Sequence, residues 1–531
     1  MPLPEEARQW PPPEHAAVFE RMRVYDAWYS GDPDRLAAVY TSTRRTVPAN
    51  RPSQYRGGIV GTLARWFWGQ PTPAGERRTK LHLPLPADIA TASADLLFAE
   101  PPTFTFTDPA TMARWEELAD EAGLAAVLSE AAEVAAPLGG VYLRAGWDRE
   151  VADHPIPYAV HADRALPEWG IDGQLRAVTF WHELDQDGQT VWRLVERHEY
   201  TSTGAGRRAV TLYGLYRGTE QELGHRVDLA AHPDTAGYEP VIDVGLPILP
   251  VVYVPNMRPS RVDRGTLLGR SDYEGVESLF DALDETLTSW MRDIRLAKGR
   301  VIVPSAWLES LGPGQGAAWD PEREAYEALN IPPTAPTAGL TVQQFAIRVA
   351  EHEATITRLM RQAVEAAGYS AHTFGLGEAA AATATEIHAR ERRSYLTRGK
   401  KISYWRPALA RLAEAMLWVD RLVFQRPVAP GRPVIEWPDG AAEQPLTLAQ
   451  TLRELHTAGA VSTWAKVAML HPDWTDGQIA EEVDRILAEQ GAGMVDPVEL
   501  VRRAAATGEL DTGGQVDEEP DPVDGEEPDA V

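Results

Sequence analysis

The chain has 531 residues and a net charge of −27, with 51 lysine and arginine residues against 78 aspartate and glutamate residues. A protein that grips DNA by neutralising phosphates is basic on at least one face, so this charge disfavours a tight DNA-binding protein. Cysteine is absent, which excludes disulfide bonds, thiolate metal sites and a cysteine nucleophile, whereas 44% hydrophobic residues suffice for a sizeable core.

The first hundred residues predict short helices and extended segments. Apolar residues recur at helical spacing over 14–30, and Gly31-Asp32-Pro33 is expected to end that helix. Residues 81–86 predict an extended stretch, and residues 87–98 predict a short helix with one apolar side. Thr103 to Thr107 alternates threonine with phenylalanine, as a half-buried strand does.

The middle of the chain changes from strands to long helices. An alanine-rich helix is predicted over 110–136, and residues 141–255 read mainly as strands separated by turns. Residues 271–298 then show unbroken helical periodicity. The apolar positions of this helix are Val276, Leu279, Phe280, Leu283, Leu287, Trp290, Met291 and Ile294.

The last third is predicted to be mainly helical. Residues 300–340 form a compact interruption rich in glycine and proline, and a second long helix is predicted over 341–367. Small residues over 368–383 indicate a loop, and a third long helix follows over 383–425. Helices are predicted again over 446–505, and the acidic tail beyond them is expected to be disordered.

The common catalytic signatures are missing. His352-Glu353 begins a zinc-protease motif, but position 356 is isoleucine where the second histidine is needed. The sequence has neither a Gly-x-Ser-x-Gly nucleophile elbow nor a phosphate-binding loop, which argues against an ATP-driven motor. We predict no catalytic residue, metal site or cofactor. No run of about 18 apolar residues or secretory signal is found, so we expect no membrane association.

Three segments carry a family resemblance. The first runs over 80–102 and ends in Leu96-Leu97-Phe98-Ala99-Glu100-Pro101-Pro102, the second is 161–169, and the third is 269–276 at the start of the long helix. Together with the order of elements, they resemble tailed-bacteriophage portal proteins, especially the siphophage type found in actinobacteriophages. The resemblance covers roughly residues 20–490.

The resemblance implies an α+β, portal-like fold. Its expected parts are a mixed α/β wing (14–268), stem helix 1 (269–298), a small clip (299–340), stem helix 2 (341–367), a tunnel loop (368–384), a wing return helix (385–445), a helical crown (446–505) and a disordered acidic tail (506–531).

It also implies a structural function and not an enzyme. A portal is a ring homo-oligomer, expected to be a dodecamer, at the special capsid vertex of the virion, and it is made in the bacterial host cytoplasm. It conducts double-stranded DNA non-specifically during packaging and ejection. Its further expected partners are the terminase large subunit, the major capsid and scaffold proteins, and the head-completion adaptor with tail proteins.

Two sets of site residues follow from this resemblance. The expected DNA-channel residues are Arg292, Arg295, Lys298, Arg300, Tyr369, His372 and Phe374. For the four basic residues, complementing the C-terminal dipole of the first stem helix is the favoured role, and proximity to DNA is the alternative. The residues expected to pack between neighbouring subunits, and so to close a ring, are Leu279, Phe280, Leu283, Leu287, Trp290 and Ile294.

Two other functions stay open from the residues alone. The first alternative is another virion structural or adaptor protein. The second is a glycoside hydrolase that uses a carboxylate pair and tryptophan platforms. A central channel separates a portal from other virion proteins. Two carboxyl groups about 5–10 Å apart in one pocket indicate the hydrolase.

Overall fold

The computed structural model describes residues 3–43, 80–203, 206–296, 300–304, 326–329, 341–343, 347–376, 384–438, 452–471 and 474–492. The chain divides into two compact units, Met1–Ala441 and Ala442–Val531. Most of the expected clip, residues 377–383 of the expected tunnel loop and the whole acidic tail lie outside the described residues.

The first unit combines long and short helices. Its described α-helices are α1 (Ala16–Ser30), α2 (Pro33–Thr43), α3 (Leu85–Phe98), α4 (Pro109–Glu121), α5 (Leu124–Leu138), α6 (Glu277–Leu296), α7 (Val349–Ala367) and α8 (Ala384–Leu422). None of the helices in the described ranges is long and apolar enough to cross a membrane.

The described strands of the first unit form four sheets. They are β1 (Thr103–Thr105), β2 (Gly140–Gly146), β3 (Ile156–His161), β4 (Ala165–Trp169), β5 (Leu175–Asp187), β6 (Thr190–Thr203), β7 (Gly206–Gly218), β8 (His225–Val227), β9 (Val241–Leu246), β10 (Val251–Pro255), β11 (Arg300–Pro304), β12 (Tyr326–Leu329), β13 (Thr341–Gln343) and β14 (Val434–Glu436). The large sheet has the order β4-β5-β6-β7-β8, with β9 also on β7, and the smaller sheets are β10-β2-β3, β12-β11-β13 and β1-β14. The α+β class is therefore confirmed.

The core of the first unit forms around α8. Trp405, Leu409, Leu412 and Met416 recur every three or four residues, and all four side chains are buried. They pack in one cluster with residues of α3, α4, α5 and the sheet β10-β2-β3. Pro407 lies inside α8 and does not end the helix.

A buried ion cluster joins the two neighbouring sheets. Arg144 on β2 pairs with Glu196 on β6, and the hydroxyl of Tyr213 on β7 donates to Glu196 Oε1 at 2.9 Å. His198 Nε2 lies 3.0 Å from the same oxygen. Burial alone would raise the pKa of Glu196, but Arg144 and His198 outweigh it and lower that pKa to about 2.

Three sequence-based boundaries are wrong, and one helix was not predicted. The helix expected over 110–136 is two helices, because Gly123 adopts a left-handed conformation (φ 58°) between α4 and α5. The second long helix starts at Val349 and not at Thr341, where β13 pairs with β11 instead. The first long helix starts at Glu277 and not at Ser271. Helix α2 was not predicted.

The second unit contains the helices α9 (Thr463–Leu470) and α10 (Asp476–Ala492), and residues 452–457 before them are also helical. The side chain of Ser462 caps α9 by accepting from the amide of Ala465 at 3.2 Å. Buried apolar side chains in this unit are Leu452, Val467 and Ile479. The helical prediction for this region is confirmed in these segments.

Gly269 permits a close backbone crossing before α6. A Cβ placed on Gly269 would lie 1.9 Å from the carbonyl oxygen of Gly139 and 2.9 Å from the amide nitrogen of Asn256. We expect Gly269→Ala to lower the free energy of unfolding by at least about 2 kcal/mol, because backbone atoms must move apart. Gly265→Ala is the matched control, since its Cβ meets nothing closer than 3.6 Å. Equal denaturant midpoints for the two variants would contradict this explanation.

Candidate functional site: the paired helices and their junction with the sheets

Helices α6 and α7 pair, with the end of one against the start of the other. Asp293 near the end of α6 accepts from Arg348 Nη2 at 2.8 Å, and His352 Nε2 lies 3.0 Å from the same carboxylate. The ring of Trp290 stacks on His352, with centroids 5.9 Å apart. The hydrogen bonds with His352 and Arg348 lower the pKa of Asp293, so its carboxylate stays ionised. We call this ionic contact between the two helices the Asp293 clasp.

An extended segment before α3 lies across the first half of α6. Lys80 Nζ contacts Asp281 at 2.7 Å, and His82 Nδ1 lies 2.9 Å from Asp284. The hydroxyl of Tyr40 on α2 also donates to Asp284, at 2.6 Å. Asp284 is only 1% exposed. These carboxylates of α6 are therefore engaged inside the chain and do not form a free acidic surface.

A buried network of polar side chains lies where α6 begins and α7 ends, which is the root of the helix pair. We call this network the junction. Lys401 Nζ on α8 donates to Asp272 Oδ2 at 2.6 Å, to Ser93 on α3 at 2.6 Å and to the hydroxyl of Tyr369 at 2.9 Å. Tyr369 donates to Asp272 at 2.7 Å, and Asn256 donates to its other oxygen at 2.8 Å. The junction thus ties the residues just before α6 and just after α7 to α3, α8 and the end of β10.

Burial dominates the electrostatics of this junction. It lowers the pKa of Lys401, and the Asp272 carboxylate opposes that shift. Burial also raises the pKa of Tyr369 well above its ordinary value, with the Asp272 charge acting in the same direction. Tyr369 therefore keeps its proton and can donate to Asp272.

The expected subunit-packing residues fall into two groups. Phe280 and Leu283 are each 1% exposed and pack against α1 and α2, so assigning them to subunit packing is wrong. Leu279 is partly buried and packs against the same apolar cluster, which Phe280 and Leu283 form with side chains of α1 and α2. The remaining three lie further along α6: Leu287 and Trp290 are half-buried, and Ile294 is 40% exposed.

The four basic residues of the expected channel set lie at or beyond the end of α6. Arg292 is exposed, and Arg295 lies in the last turn. Arg300 begins β11, opposite Gln343 of β13. Lys298 lies outside the described residues. The positions of Arg292 and Arg295 suit either contact with a nucleic acid or the dipole role.

The aromatic residues of that set are not equivalent. Tyr369 is 1% exposed inside the junction, so its assignment to a DNA-facing surface is wrong. His372 and Phe374 are half-buried in the 3-10 turn Ala371–Phe374, which follows α7 directly. The junction thus anchors the start of the segment that continues into residues 377–383.

Sequence reasoning missed the junction and the contacts with Asp284. The sequence did contain a partial indication of these contacts, since His82, Ser93 and Asp272 lie in the segments that carry the family resemblance. Lys401 lies four residues before Trp405 on the buried face of α8, and a lysine on an apolar face indicates a buried partner.

Within the described residues, no group of three or more histidine, cysteine, aspartate or glutamate side chains is placed to hold a metal ion. The polar contacts described above are structural ones between helices and sheets.

Comparison with known proteins identifies the family. A family model described as phage portal protein, SPP1 Gp6-like, matches residues 14–494. Solved chains that match include one from a structure named "Virion of native gene transfer agent (GTA) particle", with 16% identity, a TM-score of 0.38, and coverage of 78% of this chain and 99% of that one. No curated protein matches the chain.

Two further solved chains come from the neck of such particles. One, computed with C12 symmetry, is 15% identical at a TM-score of 0.38 and covers 82% of this chain and 98% of its own. The other, from an empty particle computed with C6 symmetry, is 14% identical at a TM-score of 0.39, with coverages of 82% and 97%. Because the family model spans nearly all of the described residues, this chain belongs to the SPP1 Gp6-like family of phage portal proteins.

Proposed function

We propose that this portal protein, a component of the virion, assembles into a closed ring of twelve copies around a channel for double-stranded DNA. DNA passes through that channel during packaging and ejection, without sequence-specific contacts. The observation that carries the proposal is the family match over residues 14–494. The family is a structural one, and the chain acts as a conduit and docking platform and not as an enzyme.

The paired helices suit a channel wall. With about 20 residues each at roughly 1.5 Å per residue, α6 and α7 make a rod close to 30 Å long. The junction, the contacts with Asp284 and the Asp293 clasp hold this rod at its root, its middle and its far end. A wall held in this way resists bending when DNA moves past it.

The parts of the family architecture map onto these elements as a proposal. The stem is α6 with α7, the clip is the small sheet β12-β11-β13 between them, and the tunnel loop begins after Ala367. The wing is the remainder of the first unit, and the crown is the second unit. The terminase large subunit and later the head-completion adaptor bind the clip.

The surface proposed for packing between neighbouring stems is smaller than the whole apolar stripe of α6. Ile294 is 40% exposed, and Ile347 and Val349 at the start of α7 are 38% and 46% exposed. The Asp293–Arg348 pair brings these positions to the same end of the rod. Exposed apolar side chains clustered in this way favour a protein contact.

Electron microscopy of the purified full chain tests the proposal. We expect annular particles of about 700 kDa, twelve times the 58.4 kDa chain, each with a central hole. Annuli without a hole, or open filaments, would favour another virion structural protein. A species that stays at the mass of one chain at high concentration, with and without phage partners, would contradict the ring.

A further inference from the structure

A cleft of about 520 Å³ lies at one end of the large sheet, between the turn from β4 to β5 and the helix α8. Its carboxylates, Asp172 and Glu414, pair with arginines of the same cleft at 2.6 and 2.7 Å. With five lining arginines and two carboxylates, the cleft has a net charge of +3 in a chain of −27. The five exposed arginines are Arg176, Arg207, Arg258, Arg411 and Arg432.

Several of these arginines are positioned by neighbours. The guanidinium of Arg207 lies over the ring of Tyr200, 3.5 Å from its centroid. Arg411 Nη2 donates to the side-chain oxygen of Gln174 at 2.9 Å. A guanidinium held in this way loses little side-chain entropy when it binds a carboxylate, so the cleft is prepared for an anionic partner.

The opposite end of the same sheet is acidic. Strand β5 starts at Leu175 beside the cleft and runs to Asp187, roughly 40 Å away at about 3.3 Å per residue. The tip of the β5–β6 hairpin exposes Asp185 and Asp187. Glu220, just after β7, is exposed beside it and accepts from Gln186 Nε2 at 3.3 Å. We call Asp185, Asp187 and Glu220 the acidic tip.

We propose that the arginine cleft of one copy receives the acidic tip of the neighbouring copy. This inference rests on the proposed ring and names a surface that builds it. The two surfaces differ and lie at opposite ends of one sheet, so their contact is heterologous and repeats from copy to copy. Opposite charge fixes the register of each copy on the next and disfavours tip-to-tip and cleft-to-cleft encounters.

Charge reversal and its compensation test the contact in the full chain. The cleft variant is Arg258→Glu with Arg411→Glu, the tip variant is Asp185→Arg with Asp187→Arg, and the swap variant carries all four changes. We expect each reversal alone to raise the concentration for half-assembly at least about tenfold, because like charges then face each other at every contact. The swap variant is expected to return to within about threefold of the wild type.

A matched control reverses two exposed arginines elsewhere, Arg23→Glu with Arg485→Glu. We expect it to assemble like the wild type, and we expect thermal melting to show that every variant folds. Single reversals that assemble normally would overturn the inference. So would folded single variants that fail to assemble without rescue in the swap variant, because the cleft and the acidic tip would then not contact each other. A wild type that forms no ring would contradict the proposed function instead.

Discussion

Replacing Lys401 with methionine is expected to lower the free energy of unfolding by about 3–5 kcal/mol. The change leaves the Asp272 carboxylate buried without its cation, with only the hydroxyl of Tyr369 and the amide of Asn256 still donating to it. A buried charge that loses its partner costs several kcal/mol, because water cannot replace the lost contact. Denaturant unfolding of the full chain, followed by tryptophan fluorescence, measures the loss.

Two variants make this result specific. Lys400→Met changes the adjacent lysine, which is exposed, and we expect it to alter the free energy of unfolding by no more than about 0.5 kcal/mol. Asp272→Asn combined with Lys401→Met removes both charges, so we expect it to be more stable than Lys401→Met alone. If Lys401→Met and Lys400→Met unfold at the same denaturant concentration, the junction does not hold the helices in the way described.

Glu196→Gln is expected to have an effect of similar size at pH 7, about 3–5 kcal/mol. Arg144 loses the anion that neutralises it between the two sheets, while the shape of the side chain is kept. Glu150→Gln is the matched control, because Glu150 lies just after β2, the strand that carries Arg144, and is exposed. We expect the control to change the free energy of unfolding by less than about 1 kcal/mol.

The effect of Glu196 depends on pH in a defined direction. Its pKa falls from an ordinary 4.5 to about 2 in the folded chain, so the folded state favours the ionised form. The stabilisation is therefore complete above pH 4.5 and is lost as the pH falls towards 2. We expect the difference in unfolding free energy between the wild type and Glu196→Gln to shrink over that interval. A difference that stays constant from pH 7 to pH 3 would contradict the assignment.

Local patterns predicted much of the fold because they depend on neighbouring residues only. The apolar repeat of α6 and the strands between 141 and 255 are confirmed. Phe280 and Leu283 do lie on an apolar face, but Trp28 and Tyr40 of the same chain belong to the cluster that covers it. Periodicity shows which face is apolar and not which surface covers it.

The three residues of the turn after α1 both end that helix and start α2. Gly31 ends α1 in a left-handed conformation, as expected (φ 63°). The side chain of Asp32 also accepts from the amides of Asp34 and Arg35 at 3.0 and 2.9 Å, and Pro33 occupies the first helical position. An acidic cap followed by proline is a helix start, so Gly31-Asp32-Pro33 contained the prediction of α2 as well.

The candidate site was less predictable because its contacts join distant parts of the chain. Lys401 and Asp272 are 129 residues apart, and His82 and Asp284 are 202 residues apart. A charged residue in isolation is expected at the surface, so composition and spacing carry no information on these pairs. The family resemblance identified the segments but not their contacts.

We propose that copies of this chain surround a channel. The most direct measurement is a cryo-electron microscopy reconstruction of the assembled full chain, calculated without imposed symmetry. We expect a closed ring in which α6 and α7 of each copy flank a channel wide enough for a DNA duplex. A globular particle of one chain, or a ring whose centre is filled by protein, would contradict it.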